Sequence, residues 1–252
     1  MSAACFPLVP YSNRIRNGRF RFAGRLIALP LNFADYPHSI HGHGWQAPWK
    51  IVDQGNDRLN LVYRHAADAW PFEYEARQAF RLSAGALEIE ISVRNLSIEK
   101  LPAGLGLHPY FPLSASASAN ATLSADVDAV WLTDHEVMPT VRVRPPLRWD
   151  LAKGVEVRDM AIDNGFDGWS GWARITWPND GVSLEIAADA VLRKLVVYAP
   201  PGGDFFCVEP VSHMTDAFNR AIDGAPDTGI RLLAPGETLS ARVSFRPKIQ
   251  PA

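Results

Sequence analysis

Apolar and polar residues alternate with a period of two along much of this chain. Residues 87–94 alternate through eight consecutive positions, as expected for a strand that is buried on one face. The same alternation, or a high density of β-branched residues, predicts further strands at 58–64, 74–82, 173–177, 182–187, 192–198 and 238–245. Short breakers separate these runs, and Asn179-Asp180-Gly181 predicts a hairpin between two of them.

Helix signals are sparse. Only residues 216–223 could form a short helix, with Thr215 or Ser212 as its cap. The pattern predicts an all-β fold, a large antiparallel β-sandwich rather than a parallel α/β fold. The small-residue run 114–119 is interpreted as a loop or a plain edge strand rather than a linker. No other composition shift divides the chain, so residues 1–252 are expected to form a single domain.

Composition excludes several classes of partner. The 252 residues are 47% hydrophobic and 21% charged. The net charge of -2 argues against a basic surface that would bind nucleic acid or a membrane. No window approaches the roughly 18 apolar residues of a membrane span, and the N-terminus shows no signal peptide. Cys5 and Cys207 are too few for a disulfide framework and lack metal-ligand spacing. We therefore expect a reduced, cytoplasmic protein.

Two titratable residues stand directly before prolines among apolar and aromatic neighbours. They are His108, within Gly106-Leu107-His108-Pro109-Tyr110-Phe111, and Glu209, within Cys207-Val208-Glu209-Pro210. A following proline disfavours helical geometry, so both side chains are expected on extended backbone. Burial shifts the pKa of each group toward neutrality, which suits a general acid paired with a general base. Cys207 is interpreted as a small apolar neighbour of Glu209 rather than a nucleophile.

His38, His41 and His43 raise the question of a metal site. On a strand, His41 and His43 would face the same side. A carboxylate ligand would be needed a few residues on, where Ala47 and Pro48 stand instead. No Cys or Asp completes a local set, so we expect loop histidines and no metal.

The chain holds eight tryptophans, and several lie in turn segments. An aromatic face in a loop can stack on the C–H face of a sugar ring, although most aromatic residues serve the core. Trp45 stands beside the histidine cluster and is the candidate for sugar stacking.

Five segments, in this order, resemble the aldose 1-epimerase (galactose mutarotase-like) family. They are Pro7-Leu8-Val9-Pro10-Tyr11-Ser12-Asn13-Arg14-Ile15, His41-Gly42, His108-Pro109-Tyr110-Phe111, Phe166-Asp167-Gly168-Trp169 and Cys207-Val208-Glu209-Pro210. The match extends from residue 7 to about residue 219, most of the chain.

The resemblance implies a galactose-mutarotase-like supersandwich and interconversion of the α and β anomers of a free sugar. It implies that His108 protonates the ring oxygen and that Glu209 takes the proton of the anomeric hydroxyl. For this Glu209 must be ionised and His108 protonated. The implied partner is a small-molecule sugar, and neither a metal nor an organic cofactor is needed. The expected sugar-binding residues are Asn13, Arg14, His41, Asp167, Trp45 and Tyr110.

Departures from the family pattern keep alternatives open. Family members usually carry further strands before the Asn-Arg segment, so the chain looks short at its N-terminus. Arg14, Arg16, Arg19 and Arg21 could form the phosphate cradle of a hexose-6-phosphate mutarotase, although a solvated surface cluster explains them more simply.

Two hypotheses from other functional classes also remain. The first is a non-catalytic carbohydrate-binding or sugar-sensing protein, since a fold does not settle function. The second is a glycoside hydrolase or lyase, in which Asp167 and Glu209 would flank one bond. The identity of the sugar and the oligomeric state are left open.

Overall fold

β-Strands make up nearly all of the regular structure in the computed structural model, which describes residues 4–113 and 120–249. The run 114–119 lies outside the described residues. The strands are β1 (Cys5–Leu8), β2 (Arg14–Ile15), β3 (Arg19–Phe22), β4 (Arg25–Ala28), β5 (Ser39–Ile40), β6 (Lys50–Gln54), β7 (Arg58–His65), β8 (Tyr74–Ser83), β9 (Ala86–Asn95), β10 (Leu101–Ala103), β11 (Gly106–Pro112), β12 (Thr122–Ala125), β13 (Ala129–Thr133), β14 (Pro139–Val143), β15 (Val155–Glu156), β16 (Ile162–Asp167), β17 (Trp172–Trp177), β18 (Val182–Ala188), β19 (Lys194–Ala199), β20 (Phe205–Val211), β21 (Arg231–Leu233) and β22 (Thr238–Ile249).

Two large sheets contain most of these strands. The first has seven strands in the order β1-β11-β20-β19-β16-β13-β14, and the second has nine in the order β15-β12-β17-β18-β22-β9-β8-β7-β6. Pairing within both sheets is antiparallel, for example between β8 and β9 and between β11 and β20. The predicted all-β antiparallel sandwich is therefore confirmed.

All seven strands predicted from the hydrophobic pattern are present. The run at 192–198 becomes β19, which begins at Lys194, and the run at 238–245 becomes β22, which continues to Ile249. The hairpin is also confirmed, because β17 pairs with β18 across a 3-10 turn at Pro178–Asp180. In β9, Ile89, Ile91 and Val93 are buried, as the alternation predicts.

The predicted short helix is confirmed as α1 (Ala217–Ile222), but its predicted cap is wrong. Asp216 occupies the N-cap position with a left-handed backbone (φ 56°), and none of the described side chains caps the helix. The Ser212 hydroxyl instead accepts a hydrogen bond from the Leu105 amide at 3.0 Å. Four further 3-10 turns lie at Arg16–Gly18, Leu147–Trp149, Leu151–Lys153 and Val157–Asp159.

The hydrophobic core lies between the two large sheets. Phe206 and Val208 of β20 belong to the same buried cluster as Ile89 and Ile91 of β9. Because side chains alternate along a strand, the intervening residues of β20 lie on the other face of the seven-stranded sheet. That face is available for a functional site.

Within the described ranges, no helix is long and apolar enough to cross a membrane.

Candidate active site

The candidate site lies on the face of the seven-stranded sheet that is turned away from the core. β11 pairs with β20 so that Tyr110 lies opposite Cys207, and the same register sets His108 opposite Glu209. On the next strand, β19, Val196 lies opposite Glu209. The expectation that His108 and Glu209 stand on extended backbone is confirmed, and the strand pairing brings them together.

His108 and Glu209 form a close, buried pair. The distance from His108 Nε2 to Glu209 Oε1 is 3.3 Å, and the two residues are 7% and 2% exposed. The Tyr110 ring stacks on the His108 imidazole at 4.8 Å between centroids, and Phe6 meets the same imidazole edge-on at 6.0 Å. These ring contacts hold the imidazole with Nε2 close to the carboxylate.

Burial shifts the pKa values of this pair in opposite directions. It lowers the pKa of His108 to about 4, with the Arg14 charge acting the same way. It raises the pKa of Glu209 well above its usual range; the Asp163 charge adds to that rise, and Arg14 opposes it. Since burial favours both neutral forms, these shifts favour a neutral pair, with the shared proton on Glu209 rather than on His108. This is the reverse of the placement expected from the sequence, although both placements hold one proton.

Arg14 is held in place by three polar partners. Its Nη2 lies 2.8 Å from Asp163 Oδ2, its Nε donates to the Tyr36 hydroxyl at 2.9 Å, and its Nη1 donates to Asn13 Oδ1 at 3.0 Å. Arg14 is 8% exposed, and its pKa is raised, because the Asp163 and Tyr36 interactions outweigh burial. Among the described residues, the Asn13 side-chain amide nitrogen makes no hydrogen bond, so it is available to a ligand.

His41 stands next to this segment in a left-handed backbone conformation (φ 63°). Its amide donates to the Asn13 carbonyl at 2.9 Å, and its Nδ1 accepts from the Asn13 amide at 3.1 Å. Burial lowers the pKa of His41 well below its usual value, helped by His108 and Arg14. A neutral imidazole whose Nδ1 accepts a hydrogen bond must carry its proton on Nε2. His41 therefore presents a donor, and its ring lies 5.2 Å from that of His108.

A cavity of about 320 Å³ opens over the His108–Glu209 pair. Asn13, Arg14, His41, Trp45 and Tyr110, five of the six residues expected to bind sugar, line it together with both members of the pair. The remaining lining residues are mainly aromatic or apolar: Phe6, Phe33, Tyr36, Ile40, Asp163, Val196, Tyr198 and Phe205. Polar groups converge at the floor, and aromatic rings form the walls.

The structure does not bring Asp167, the sixth expected sugar-binding residue, to this cavity. Its carboxylate lies 2.8 Å from Lys194 Nζ and accepts hydrogen bonds from Trp131 Nε1 at 2.8 Å and Arg142 Nε at 2.9 Å. Asp163 lines the cavity instead.

The physical reason is distance along β16. Positions 163 and 167 share a face of the strand but lie about 13 Å apart at 3.3 Å per residue. The sequence pattern predicts no strand here, and Asp167 is expected in the site only from the family resemblance.

The three histidines of the 38–43 segment do not converge, so this structure does not support a shared metal site. His38 lies 3.8 Å from Glu136, whereas His43 stacks on His65 with 4.3 Å between centroids and 6° between planes. His43, His65 and Asp68 do place ligand atoms within 4.8 Å of one another. However, the nitrogen lone pairs of two parallel rings do not point at a common ion.

The arginines of the 14–21 segment do not form a common cradle. Arg16 pairs with Asp134 at 3.4 Å and with Glu136 at 3.5 Å. Arg19 and Arg21 are exposed, and neither lines the cavity. Arg14 is thus the one cationic side chain among the described residues that line it.

Comparison with known proteins identifies relatives that match nearly the whole chain. A model of the aldose 1-epimerase family matches residues 2–246. The chain is 35% identical to the uncharacterized protein YphB of Escherichia coli K12 over 97% of this chain and 83% of the relative. It is 32% identical, with a TM-score of 0.87, to an Escherichia coli K12 crystal structure provisionally named an aldose 1-epimerase, over 98% of this chain and 84% of the other. A galactose mutarotase-like protein of Clostridium acetobutylicum shares the fold with a TM-score of 0.85 at 22% identity, over 98% of this chain and 79% of the other.

Proposed function

The chain belongs to the aldose 1-epimerase family, and from that premise we propose that it interconverts the α and β anomers of a free, unphosphorylated aldose. The observation that carries the proposal is the buried His108–Glu209 pair, 3.3 Å apart, on the floor of an aromatic cavity. Opening a cyclic hemiacetal requires a group that accepts the O1 proton and a group that protonates the ring oxygen. A paired carboxylate and imidazole supply both.

In the proposed reaction, the proton of the pair first moves from Glu209 to His108 Nε2, and the anomeric hydroxyl then hydrogen-bonds to the ionised carboxylate. The carboxylate takes the O1 proton while the imidazolium protonates the ring oxygen. The C1–O5 bond breaks as the C1 carbonyl forms. After rotation about C1–C2, the same transfers run in reverse and close the ring on the other face of C1.

The pKa shifts at this pair support the proposed chemistry. Burial that raises the pKa of Glu209 makes its ionised form a stronger base, and burial that lowers the pKa of His108 makes its protonated form a stronger acid. Ring opening ends with Glu209 protonated and His108 neutral, which is the charge state that burial favours. Burial therefore favours the proton transfers of ring opening once the pair is in its ionic form, and it opposes the reverse transfers of ring closure by the same amount.

The remaining polar groups would hold the sugar hydroxyls. The Arg14–Asp163 ion pair offers donors and acceptors side by side, and charge-assisted hydrogen bonds to hydroxyls are among the stronger ones. The neutral His41 and the Asn13 amide add two donors on the same side. Trp45 and Tyr110 would offer ring faces to the sugar's C–H surface.

The charges around the cavity favour an unphosphorylated sugar. Arg14 is the one cation among the described lining residues, and Asp163 already neutralises it at 2.8 Å. Among the described lining residues, a phosphate dianion would find no free cationic partner.

The glycoside hydrolase hypothesis requires Asp167 and Glu209 on either side of one bond. Asp167 is bound by Lys194 and Arg142 and does not line the cavity with Glu209.

Polarimetry tests the proposal against a non-catalytic sugar-binding role. Freshly dissolved α-glucose and α-galactose are followed with the wild-type protein, with the Glu209→Gln variant and without protein. Acceleration by the wild type alone supports mutarotation and the role of Glu209. Sugar binding without acceleration for a panel of aldoses would contradict the proposal and favour the sugar sensor.

A further inference from the structure

A cysteine lies beside the acid–base pair and is not used by the proposed reaction. Cys207 precedes Glu209 by two residues on β20, so both side chains lie on the site face of the strand, and Cys207 is fully buried. Ligand atoms of His108, Cys207 and Glu209 all lie within 4.8 Å of one another. An imidazole, a thiol and a carboxylate are the three side-chain types that bind zinc.

The spacing within this cluster suits a tetrahedral ion. Zinc–nitrogen and zinc–oxygen bonds of about 2.0–2.1 Å place two ligand atoms about 3.3 Å apart at a tetrahedral angle. The observed separation of His108 Nε2 and Glu209 Oε1 is 3.3 Å. The Cys207 sulfur lies within 4.8 Å of a ligand atom of each of these two residues, and a Zn–S bond of about 2.3 Å would place it about 3.5 Å from each of the bound atoms.

Charge balance also favours a divalent cation here. A bound ion requires the thiolate and carboxylate forms of Cys207 and Glu209, and these two negative charges offset the two positive charges of the ion. A buried cation without such ligands would be strongly disfavoured. Binding would release the thiol proton and the single proton of the His108–Glu209 pair, about two in all.

We propose that His108, Cys207 and Glu209 form an inhibitory binding site for zinc or a similar thiophilic divalent cation. The ion occupies the acid and the base together, so it competes with the sugar. Its fourth position faces the cavity and takes water. This inference rests on the proposed function for its effect on turnover, but the binding itself can be measured without a sugar.

The second cysteine provides a matched control. Cys5 lies on β1, where its neighbour Phe6 is paired with His108 and lines the cavity. By alternation, Cys5 is on the opposite face, and it packs against the core. Cys5→Ser and Cys207→Ala each remove one thiol from the seven-stranded sheet. Cys207 is on the face that bears the site, and Cys5 is on the face that packs against the core.

The test combines zinc titration against a chromophoric chelator with the absorption spectrum of the cobalt-loaded protein. The wild type and Cys5→Ser are expected to bind one ion and to show a thiolate-to-cobalt charge-transfer band. Cys207→Ala is expected to lack the band and to bind zinc about 100-fold more weakly or worse, since even changes outside the ligand set cost 10–100-fold. Wild-type zinc affinity in Cys207→Ala, or loss of the band in Cys5→Ser instead, would overturn the proposal.

Turnover measurements separate this inference from the proposed function. Zinc should inhibit mutarotation by the wild type and Cys5→Ser, and a saturating sugar should relieve the inhibition. Cys207→Ala should keep its activity at zinc concentrations that stop the wild type. Zinc binding without any mutarotase activity would contradict the proposed function alone. Wild-type activity that resists zinc would contradict the inhibitory site alone.

Discussion

Arg14 and Asp163 form a 2.8 Å ion pair at the floor of the sugar-sized cavity, although they come from distant parts of the chain. Arg14 belongs to a segment that the family resemblance points out, whereas Asp163 belongs to a strand whose other aspartate was expected in the site. The pair sets the charge of the cavity floor, because it places a fixed cation and a fixed anion beside Glu209. Both charges act on the pKa of Glu209, in opposite directions.

Substitutions of the two aspartates of β16 should have different effects, one on sugar binding and the other on the stability of the fold. Asp163→Asn removes the charged partner of Arg14, so we expect KM to rise at least about 10-fold through lost charge-assisted contacts. Asp167→Asn should leave KM within about twofold, because position 167 does not line the cavity. It should instead lower the free energy of unfolding by about 3 kcal/mol, since the buried Lys194 loses its closest carboxylate.

Steady-state mutarotation and urea unfolding of both variants check this prediction. A larger KM effect in Asp167→Asn than in Asp163→Asn would return the sugar-binding role to Asp167.

Glu209→Gln should abolish turnover without weakening the fold. Loss of the base is expected to lower kcat by about 10²–10⁴-fold, the usual contribution of a positioned base. The amide can still donate to His108 Nε2, and it removes a carboxyl whose pKa burial raises. The free energy of unfolding should therefore not decrease, and sugar binding should persist. Polarimetry, calorimetric sugar titration and urea unfolding measure the three quantities; unchanged kcat would rule out Glu209 as the base.

His108→Asn should lose turnover by a similar factor while keeping sugar affinity. Asparagine cannot protonate the ring oxygen, but its size is compatible with the contacts to Tyr110 and Phe6. The discriminating readout is the division between kcat and KM. A variant that retains kcat and loses only affinity would make His108 a binding residue.

Much of the fold was predictable because one face of each long strand is buried. Ile89, Ile91 and Val93 alternate with polar residues and pack into the core as that pattern predicts. Short strands such as β2 and β5, of two residues each, carry no period and could not be predicted in this way. The helix cap was wrong because Asp216 adopts a left-handed conformation, which a capping motif does not encode.

The site was predictable where a local feature fixes a side chain. His108 and Glu209 precede prolines, and the strand pairing then sets them opposite each other. Asp163 could not be chosen over Asp167, because the sequence pattern predicts no strand at Ile162–Asp167 and only the position of the cavity along β16 decides between them. The direction in which the pKa of His108 shifts depends on how completely the imidazole is buried, which the sequence does not reveal.

Chelator treatment should leave mutarotation undiminished. The proposed proton transfers use His108 and Glu209 alone, and Arg14, Asp163 and His41 supply the sugar contacts. Activity before and after dialysis against a strong chelator checks this expectation. A loss that added metal restores would instead indicate an activating metal and contradict the proposed chemistry.

Acid should destabilise the protein through histidines that the fold keeps neutral, and His213 is the clearest case outside the site. Its Nδ1 donates to the Met214 carbonyl at 2.8 Å, and its Nε2 accepts from the Ser12 amide at 2.9 Å. Burial lowers its pKa from 6.5 to about 4, so the unfolded chain binds more protons across that window. The free energy of unfolding should therefore fall as the pH drops from 6.5 to 4, by up to about 3 kcal/mol for this residue.

A glutamine at position 213 separates this contribution from the rest of the acid sensitivity. His213→Gln can still accept from the Ser12 amide but cannot take up a proton, so its unfolding free energy should fall less steeply over the same pH range. His135→Gln, at an exposed position, is the matched control and should follow the wild type. Urea unfolding at several pH values between 6.5 and 4 measures the slopes. If His213→Gln kept the wild-type slope, His213 would not be a source of the acid sensitivity, because a non-titrating residue at that position would have changed nothing.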